Sequence, residues 1–114
     1  MTDRMRMASA LADSSDKNDI AKGFVEIAAI VSDKGSRHDA EFGFLDNALF
    51  LARKHASSKE AAVRNAVSVM LTSVGNMGSS WREAALETAD EINMQPSSES
   101  QSIAAEVISE LRRK

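Results

Sequence analysis

The feature of this sequence that most constrains its fold is a helix-start signal that recurs about every twenty residues. In a capping box, a serine or threonine is followed three residues later by glutamate or glutamine, and the two side chains satisfy each other's free backbone N–H groups. Three such boxes and one weaker form ending in aspartate are present: Ser57…Glu60, Ser80…Glu83, Ser98…Gln101 and Ser36…Asp39. Four starts of this kind, each followed by apolar residues at helical spacing, predict an all-helical chain.

Apolar stripes with steps of three and four residues follow these starts and also occur upstream of them. They include Ile20, Phe24, Ile27 and Val31; Val63, Val67, Met70 and Val74; Trp81, Ala85, Ala89 and Ile92; and Ile103, Val107 and Leu111. The spacing predicts helices near residues 3–13, 18–34, 37–55, 58–75, 80–94 and 99–113. Residues 37–55 carry two adjacent stripes, which predicts a central position for that helix. We also expect Trp81 to pack in the core.

The links between these segments are only a few residues long, so consecutive helices are expected to lie antiparallel or sharply crossed. We therefore predict a compact all-α domain spanning residues 1–114, with five to six short antiparallel helices. Two arrangements remain open, stacked αα-hairpins and an irregular bundle. Residues 1–15 are expected to form a loosely packed N-terminal helix.

The stretch "WREAALETADEINMQP" resembles the second helix of a tetratricopeptide unit. Six residues match that pattern: Trp81, Glu83, Ala84, Ile92, Met94 and Pro96. Thr88 and Glu91 depart from it, and the preceding helix lacks the expected Leu-Gly pair and aromatic residue. The resemblance covers about half of one unit, so the chain is not assigned to that family on this ground.

Composition excludes several classes of function. The chain has 114 residues, no cysteine and a net charge of −3, which rules out disulfides, zinc–thiolate sites and cysteine catalysis. The acidic balance gives no general attraction for nucleic acid or anionic membranes. No stretch approaches the roughly 20 apolar residues that span a bilayer, and the N-terminal apolar run is too short for a signal peptide. We therefore expect a cytoplasmic protein without membrane contact.

The stretch "SVGNMGSSWREAAL" has two interpretations, a phosphate-binding loop or a turn between helices. Phosphate-binding glycine loops follow a strand and carry further glycine or lysine residues, and neither condition holds around Gly75 and Gly78. The sequence favours a turn, with glycine ending one helix and Ser80 capping the next. By the same pattern we expect Ser57 to cap the start of the predicted helix 58–75.

Metal and catalytic sites receive little support. His38, Asp39 and Glu41 could supply ligands, but acidic residues at a helix start also complement the helix dipole. No nucleophile motif such as G-x-S-x-G occurs. We predict no cofactor and no enzymatic activity, with a cryptic small helical enzyme as the third hypothesis.

Charge distribution is the remaining functional signal. Arg53, Lys54, Lys59 and Arg64 form a basic cluster around one predicted turn, whereas seven of the eight charged residues in 77–110 are acidic. Both sets could be solvated faces, or the basic residues could form a ridge that steers an acidic partner. Apolar anchors could come from Met5, Met7 and Leu11, because methionine adapts to irregular surfaces.

These signals favour a non-catalytic protein–protein interaction module, such as an adaptor, a chaperone-like or an inhibitory protein. Its partner would be another protein or a second copy of the chain in a homo-oligomer. The alternative is a nucleic-acid-associated helical regulator. That alternative is disfavoured because few cations are available to neutralise phosphate.

Overall fold

The computed structural model describes residues 2–33 and 42–113, and these ranges form six α-helices. They are α1 Asp3–Ala12, α2 Lys17–Ser32, α3 Phe42–His55, α4 Ala61–Gly75, α5 Ser79–Asn93 and α6 Ser98–Arg112. The all-helical prediction is confirmed, and the observed ends of the helices lie close to the predicted ones wherever both are described. The predicted helix start at Ser36…Asp39 and the first five residues of the predicted helix 37–55 lie outside the described residues.

The helices stack in two layers. In one layer α3 contacts both α1 and α5, and in the other α4 contacts both α2 and α6. The pairs α1–α2, α3–α4 and α5–α6 pack across the layers, and the shortest dimension of the molecule is 18 Å, close to two helix diameters. The six described helices thus form a small, compact helical bundle.

The core is centred on α4, which contacts α2, α3, α5 and α6. Six apolar side chains of α4 are buried: Val63, Ala66, Val67, Met70, Leu71 and Val74. We predicted the central position for the helix that became α3. Two aromatic side chains of α3, Phe42 and Phe50, are 72% and 59% exposed. Other helices therefore cover less of the apolar surface of α3 than its two stripes predicted.

Helix α1 is tightly packed, in contrast to the loose N-terminal helix that we expected. Its N-cap is Thr2, whose hydroxyl oxygen accepts a hydrogen bond from the Met5 N–H at 3.2 Å. Met5, Ala8 and Ala12 are fully buried, and they lie at the i, i+3, i+7 spacing of one helix face. A short helix with such a stripe gains its stability by docking onto α2 and α3.

The predicted caps at Ser57 and Ser98 are wrong by a few residues. The N-cap of α4 is Glu60, whose backbone N–H is bound by the Ser58 hydroxyl at 3.2 Å. In α6 the cap is Ser97, which accepts from the Ser100 N–H at 3.0 Å. At α6 the prediction fell on one of two adjacent serines. Either serine has the chemistry to cap, so the path of the loop decides which one does.

Gly75 and Gly78 lie where a turn joins α4 to α5, as predicted. Gly75 ends α4, and Gly78 rather than Ser80 is the N-cap of α5. Gly78 has φ 159° and ψ 173°, in a region that is essentially restricted to glycine. This backbone conformation lets Ser79 and Ser80 enter the helix directly, so the Ser80 cap was a wrong prediction.

Trp81 lies at the edge of the core rather than inside it. The indole is partly buried against the core, and its ring centroid stands 5.7 Å from that of Phe42 at an interplanar angle of 43°. The deeply buried residues of α5 are instead Ala85, Thr88, Ala89 and Ile92. Trp81 comes too early in the helix to reach the layer interface that these residues fill.

Candidate functional site

Arg53, the first residue of the predicted basic ridge, is tied to α5 inside the chain. Its guanidinium forms an ion pair with Glu91 and lies 3.5 Å from the hydroxyl of the buried Thr88. The Gln95 side-chain amide donates to the Arg53 carbonyl at 2.9 Å. These bonds fix the C-terminal end of α3 on α5, so Arg53 contributes to the packing of these two helices.

Two other ridge residues are also engaged. The Lys54 ammonium lies 3.8 Å from the Asp13 carboxylate just after α1. The Arg64 guanidinium donates to the Ser58 carbonyl at 2.8 Å and so supports the α3–α4 turn. Lys59 is exposed and forms no ion pair within the described part of the chain. The four cations do surround one turn, but Lys59 alone among them has no ion pair or hydrogen bond with another described residue.

The three predicted apolar anchors lie on two different faces of α1. Met5 is 1% exposed and belongs to the core, so it is not part of the surface. Met7 is 66% exposed, and Leu11 is half-buried. Two residues along a helix is a rotation of about 200°, which puts Met5 and Met7 on opposite faces. Met7 and Leu11, four residues apart, share the outer face.

Met7 and Leu11 line an apolar groove between α1 and α2, with a cavity of about 640 Å³. The α1 wall consists of Arg4, Met7, Ala8 and Leu11, and the α2 wall of Ala21, Lys22, Val25 and Glu26; Ala62 closes the groove at the start of α4. The α1 residues follow the i, i+3, i+4, i+7 spacing of a single helix stripe. Small residues on both walls, Ala8 and Ala21, leave the space that the groove occupies.

Two contacts between α1 and α2 fix the groove at its ends. At Gly23 the helix backbones touch, because a Cβ placed there would lie 2.3 Å from the Ala12 nitrogen. Toward the start of α1, Arg4 forms an ion pair with Glu26 across the groove. The walls are therefore held by one backbone contact and one charged pair. The groove is a preformed feature of the packing.

The charges on the rim of the groove leave one cation free. Glu26 is paired with Arg4, whereas Lys22 is exposed and makes no ion pair or hydrogen bond within residues 2–33 and 42–113. Lys22 and Glu26 are four residues apart, but lysine preceding glutamate is the less favourable order for a pair on one helix. The rim thus has a net positive charge on a chain that is acidic overall.

A second hollow of about 320 Å³ lies on the other side of Met7, lined by Met7, Ala10, Leu11, Ser14 and Asp19. Met7 and Leu11 border both hollows. The Met7 side chain therefore stands as a ridge between two depressions, and a flexible thioether chain can adapt to a contact on either side.

The sequence pattern predicted Met7 and Leu11 as surface anchors but gave no prediction for the α2 wall. Val25 is 54% exposed and stands opposite the buried stripe of Ile20, Phe24, Ile27 and Val31. A large apolar residue on the polar side of an amphipathic helix was the available signal. It was too weak alone, because isolated exposed apolar residues are normal on protein surfaces.

The titratable groups of the described residues were compared with the geometry of a metal site. No cluster of three or more histidine, aspartate or glutamate side chains with metal-binding geometry occurs there; His38, Asp39 and Glu41 lie outside the described residues. The His55 ring packs edge-on against Phe24 with centroids 6.0 Å apart. Burial and, next, the adjacent Lys54 lower the pKa of His55, while Asp13 acts in the opposite direction. This environment suits a histidine that packs in its neutral form.

Within the described ranges, none of the helices combines the length and the apolar character that crossing a bilayer requires. Comparisons with protein-family models, with curated proteins and with solved structures found no match to this chain.

Proposed function

We propose that this protein is a non-catalytic interaction module that binds an apolar segment of another protein in the α1–α2 groove. Adaptor, chaperone-like and inhibitory roles all use such a surface. We propose that this binding takes place in the cytoplasm, and the lack of cysteine is compatible with a reducing compartment.

The observation that carries the proposal is the pair of exposed apolar side chains on opposite walls of the groove. Met7 on α1 is 66% exposed and Val25 on α2 is 54% exposed, and the cavity of about 640 Å³ lies between them. Apolar residues that line a concave surface with a charged rim are typical of binding sites. Covering them would remove apolar surface from water, which favours association.

The dimensions of the groove fit a helix. From Arg4 to Leu11 the α1 wall spans seven residue steps, or about 10 Å at 1.5 Å per residue. Two turns of an amphipathic helix have this length, and such a helix places its apolar side chains at i, i+3, i+4 and i+7. The contact is small compared with that of stable complexes, so we expect a transient interaction.

The rival nucleic-acid hypothesis has less support. Arg53 and Lys54 are paired with Glu91 and Asp13, so these cations would have to leave their carboxylates to meet phosphate. Binding to nucleic acid depends on the number of phosphates neutralised. We therefore keep protein binding as the single proposal.

The test is photo-crosslinking in cells of the source organism. A photoreactive amino acid replaces Met7 in one variant and Phe50, an exposed residue of α3, in the other. We expect a discrete crosslinked protein from position 7 that position 50 does not give. The dissociation constant of the crosslinked partner is then measured with the variants Val25→Ser and Val69→Ser. The two valines are comparable because they are 54% and 53% exposed.

The two valine variants make a matched pair because residue type, exposure and helical setting are the same. We expect Val25→Ser to weaken binding about tenfold, as for a moderate interface residue, and Val69→Ser to leave it unchanged. Equal losses in both variants, or the same crosslinks from positions 7 and 50, would show that the groove is not the binding surface.

A further inference from the structure

The charges around the groove allow its occupant to be specified further, if the groove binds protein as proposed. We infer that the partner segment is an amphipathic helix with acidic residues beside its apolar stripe. The inference rests on two lysines. Lys22 lines the α2 wall, and Lys59 precedes the groove residue Ala62 in the chain.

Lys22 lines the groove and has no internal partner among the described residues. The other rim cation, Arg4, is already neutralised by Glu26. An incoming carboxylate that pairs with Lys22 would therefore displace no existing bond. An incoming cation would meet Lys22 without compensation, because the nearest rim carboxylate is in use.

A second unpaired cation precedes the groove residue Ala62 in the chain. Lys59 lies three residues before Ala62, and the acid between them, Glu60, is 3.2 Å from the Lys17 ammonium. Lys59 is thus left free at the α4 end. Among the charged residues that line the groove, Lys22 is the one without an internal partner in the described ranges. Lys59 lies outside this lining, and the adjoining hollow contains the Asp19 carboxylate.

A partner with this pattern would be attracted by its acids and held by its apolar residues. Complementary charges at a rim mainly accelerate association and select between partners. A single exposed ion pair contributes modestly, so a change from an acidic to a basic partner should alter affinity about three- to tenfold at low ionic strength. The preference should fade at high salt, because exposed charges are screened.

Two stapled helical peptides of about 14 residues, or four turns, provide the probe. Both have leucine at i, i+3, i+4 and i+7, with glutamate at the flanking positions of one and lysine in the other. Affinity is measured by fluorescence anisotropy of the labelled peptides. The amide shifts of Met7, Leu11 and Val25 report whether binding occurs in the groove.

We expect the acidic peptide to bind more tightly, and Lys22→Glu to abolish or reverse that preference. Lys59→Glu should reduce it. The control is Arg112→Glu, because Arg112 is an exposed cation of α6, a helix that packs on α4 and α5. This variant should leave the preference unchanged.

The other outcomes separate this inference from the proposed function. Equal binding of both peptides in the groove would overturn the acidic partner and leave groove binding intact. Crosslinking from position 7 without binding of either peptide would show that the occupant is not an amphipathic helix. A dimer in sedimentation analysis, with concentration-dependent shifts at Met7 and Val25, would identify a second copy as the occupant and overturn the inference.

Discussion

Gly23 provides the strongest test of the packing that forms the groove. It lies inside α2, where alanine is ordinarily preferred over glycine by about 1 kcal/mol. A Cβ at this position would lie 2.3 Å from the Ala12 nitrogen, 2.7 Å from the Ala12 Cα and 2.8 Å from the Leu11 carbonyl carbon. All three are backbone atoms, so no side-chain rotation can relieve the clash in Gly23→Ala.

The cost follows from how far α1 must move. To restore ordinary contact, α1 has to shift by about 1 Å or more, which disturbs the burial of Met5, Ala8 and Ala12. Overpacking of this kind costs about 1–3 kcal/mol beyond the gain in helix propensity. We expect Gly23→Ala to lower the free energy of unfolding by about 1–3 kcal/mol, which is about 4–13 °C in melting temperature for a chain of this size.

Gly43→Ala is the matched control. Gly43 is exposed near the start of α3, and a Cβ there would have nothing within 4 Å. The same substitution should therefore raise the free energy of unfolding by up to about 1 kcal/mol. Urea unfolding followed by circular dichroism measures both variants under identical conditions.

Opposite signs for the two variants are the expected result. If Gly23→Ala proved as stable as the parent chain, or stabilised it as Gly43→Ala does, the close backbone approach of α1 and α2 would be wrong. Amide hydrogen exchange provides a second measure, because displacement of α1 should increase exchange across Asp3–Ala12 without affecting α6.

Three further outcomes are expected. Ser97→Ala should cost about 1 kcal/mol in urea unfolding and Ser98→Ala much less, because Ser97 caps α6; the reverse order would restore the predicted capping box. Burial lowers the pKa of His55 in the folded state, so its contribution to stability is complete above the unfolded pKa of about 6.5 and falls as the pH drops below that value. His55→Gln should flatten the stability profile between pH 7 and 5, and an unchanged slope would assign the effect to other groups. Trp81→Ala should cost about 1–2 kcal/mol, below the 3–5 kcal/mol of a buried tryptophan, and Phe42→Ala should shift the Trp81 emission to longer wavelength if the two rings are in contact as observed.

The sequence alone determined the helices and their approximate ends, because these depend on local physics. Apolar residues at steps of three and four define a helix face wherever that face is later buried. Glycine and serine between the stripes interrupt helices through their own backbone and side-chain chemistry. Five of the six helix starts could therefore be predicted to within about three residues.

Choices between chemically equivalent neighbours were decided only by the tertiary structure. Met5 and Met7 have the same side chain, and the docking of α1 onto α2 determined that Met5 is buried and Met7 is exposed. Ser97 and Ser98 could each cap a helix, and the turn after α5 selected Ser97. In both cases the local free energies are nearly equal, so packing contacts made elsewhere in the chain decide the outcome.

The candidate site also depended on contacts between distant residues. Arg53 and Glu91 are 38 positions apart, and their pairing removed a cation from the predicted ridge. The groove requires Met7 and Val25 to face each other, and that placement follows from the absence of a side chain at Gly23, where the two helix backbones meet. Periodicity shows which face of each helix is apolar, but the helix that covers it is determined by the fit of the whole chain.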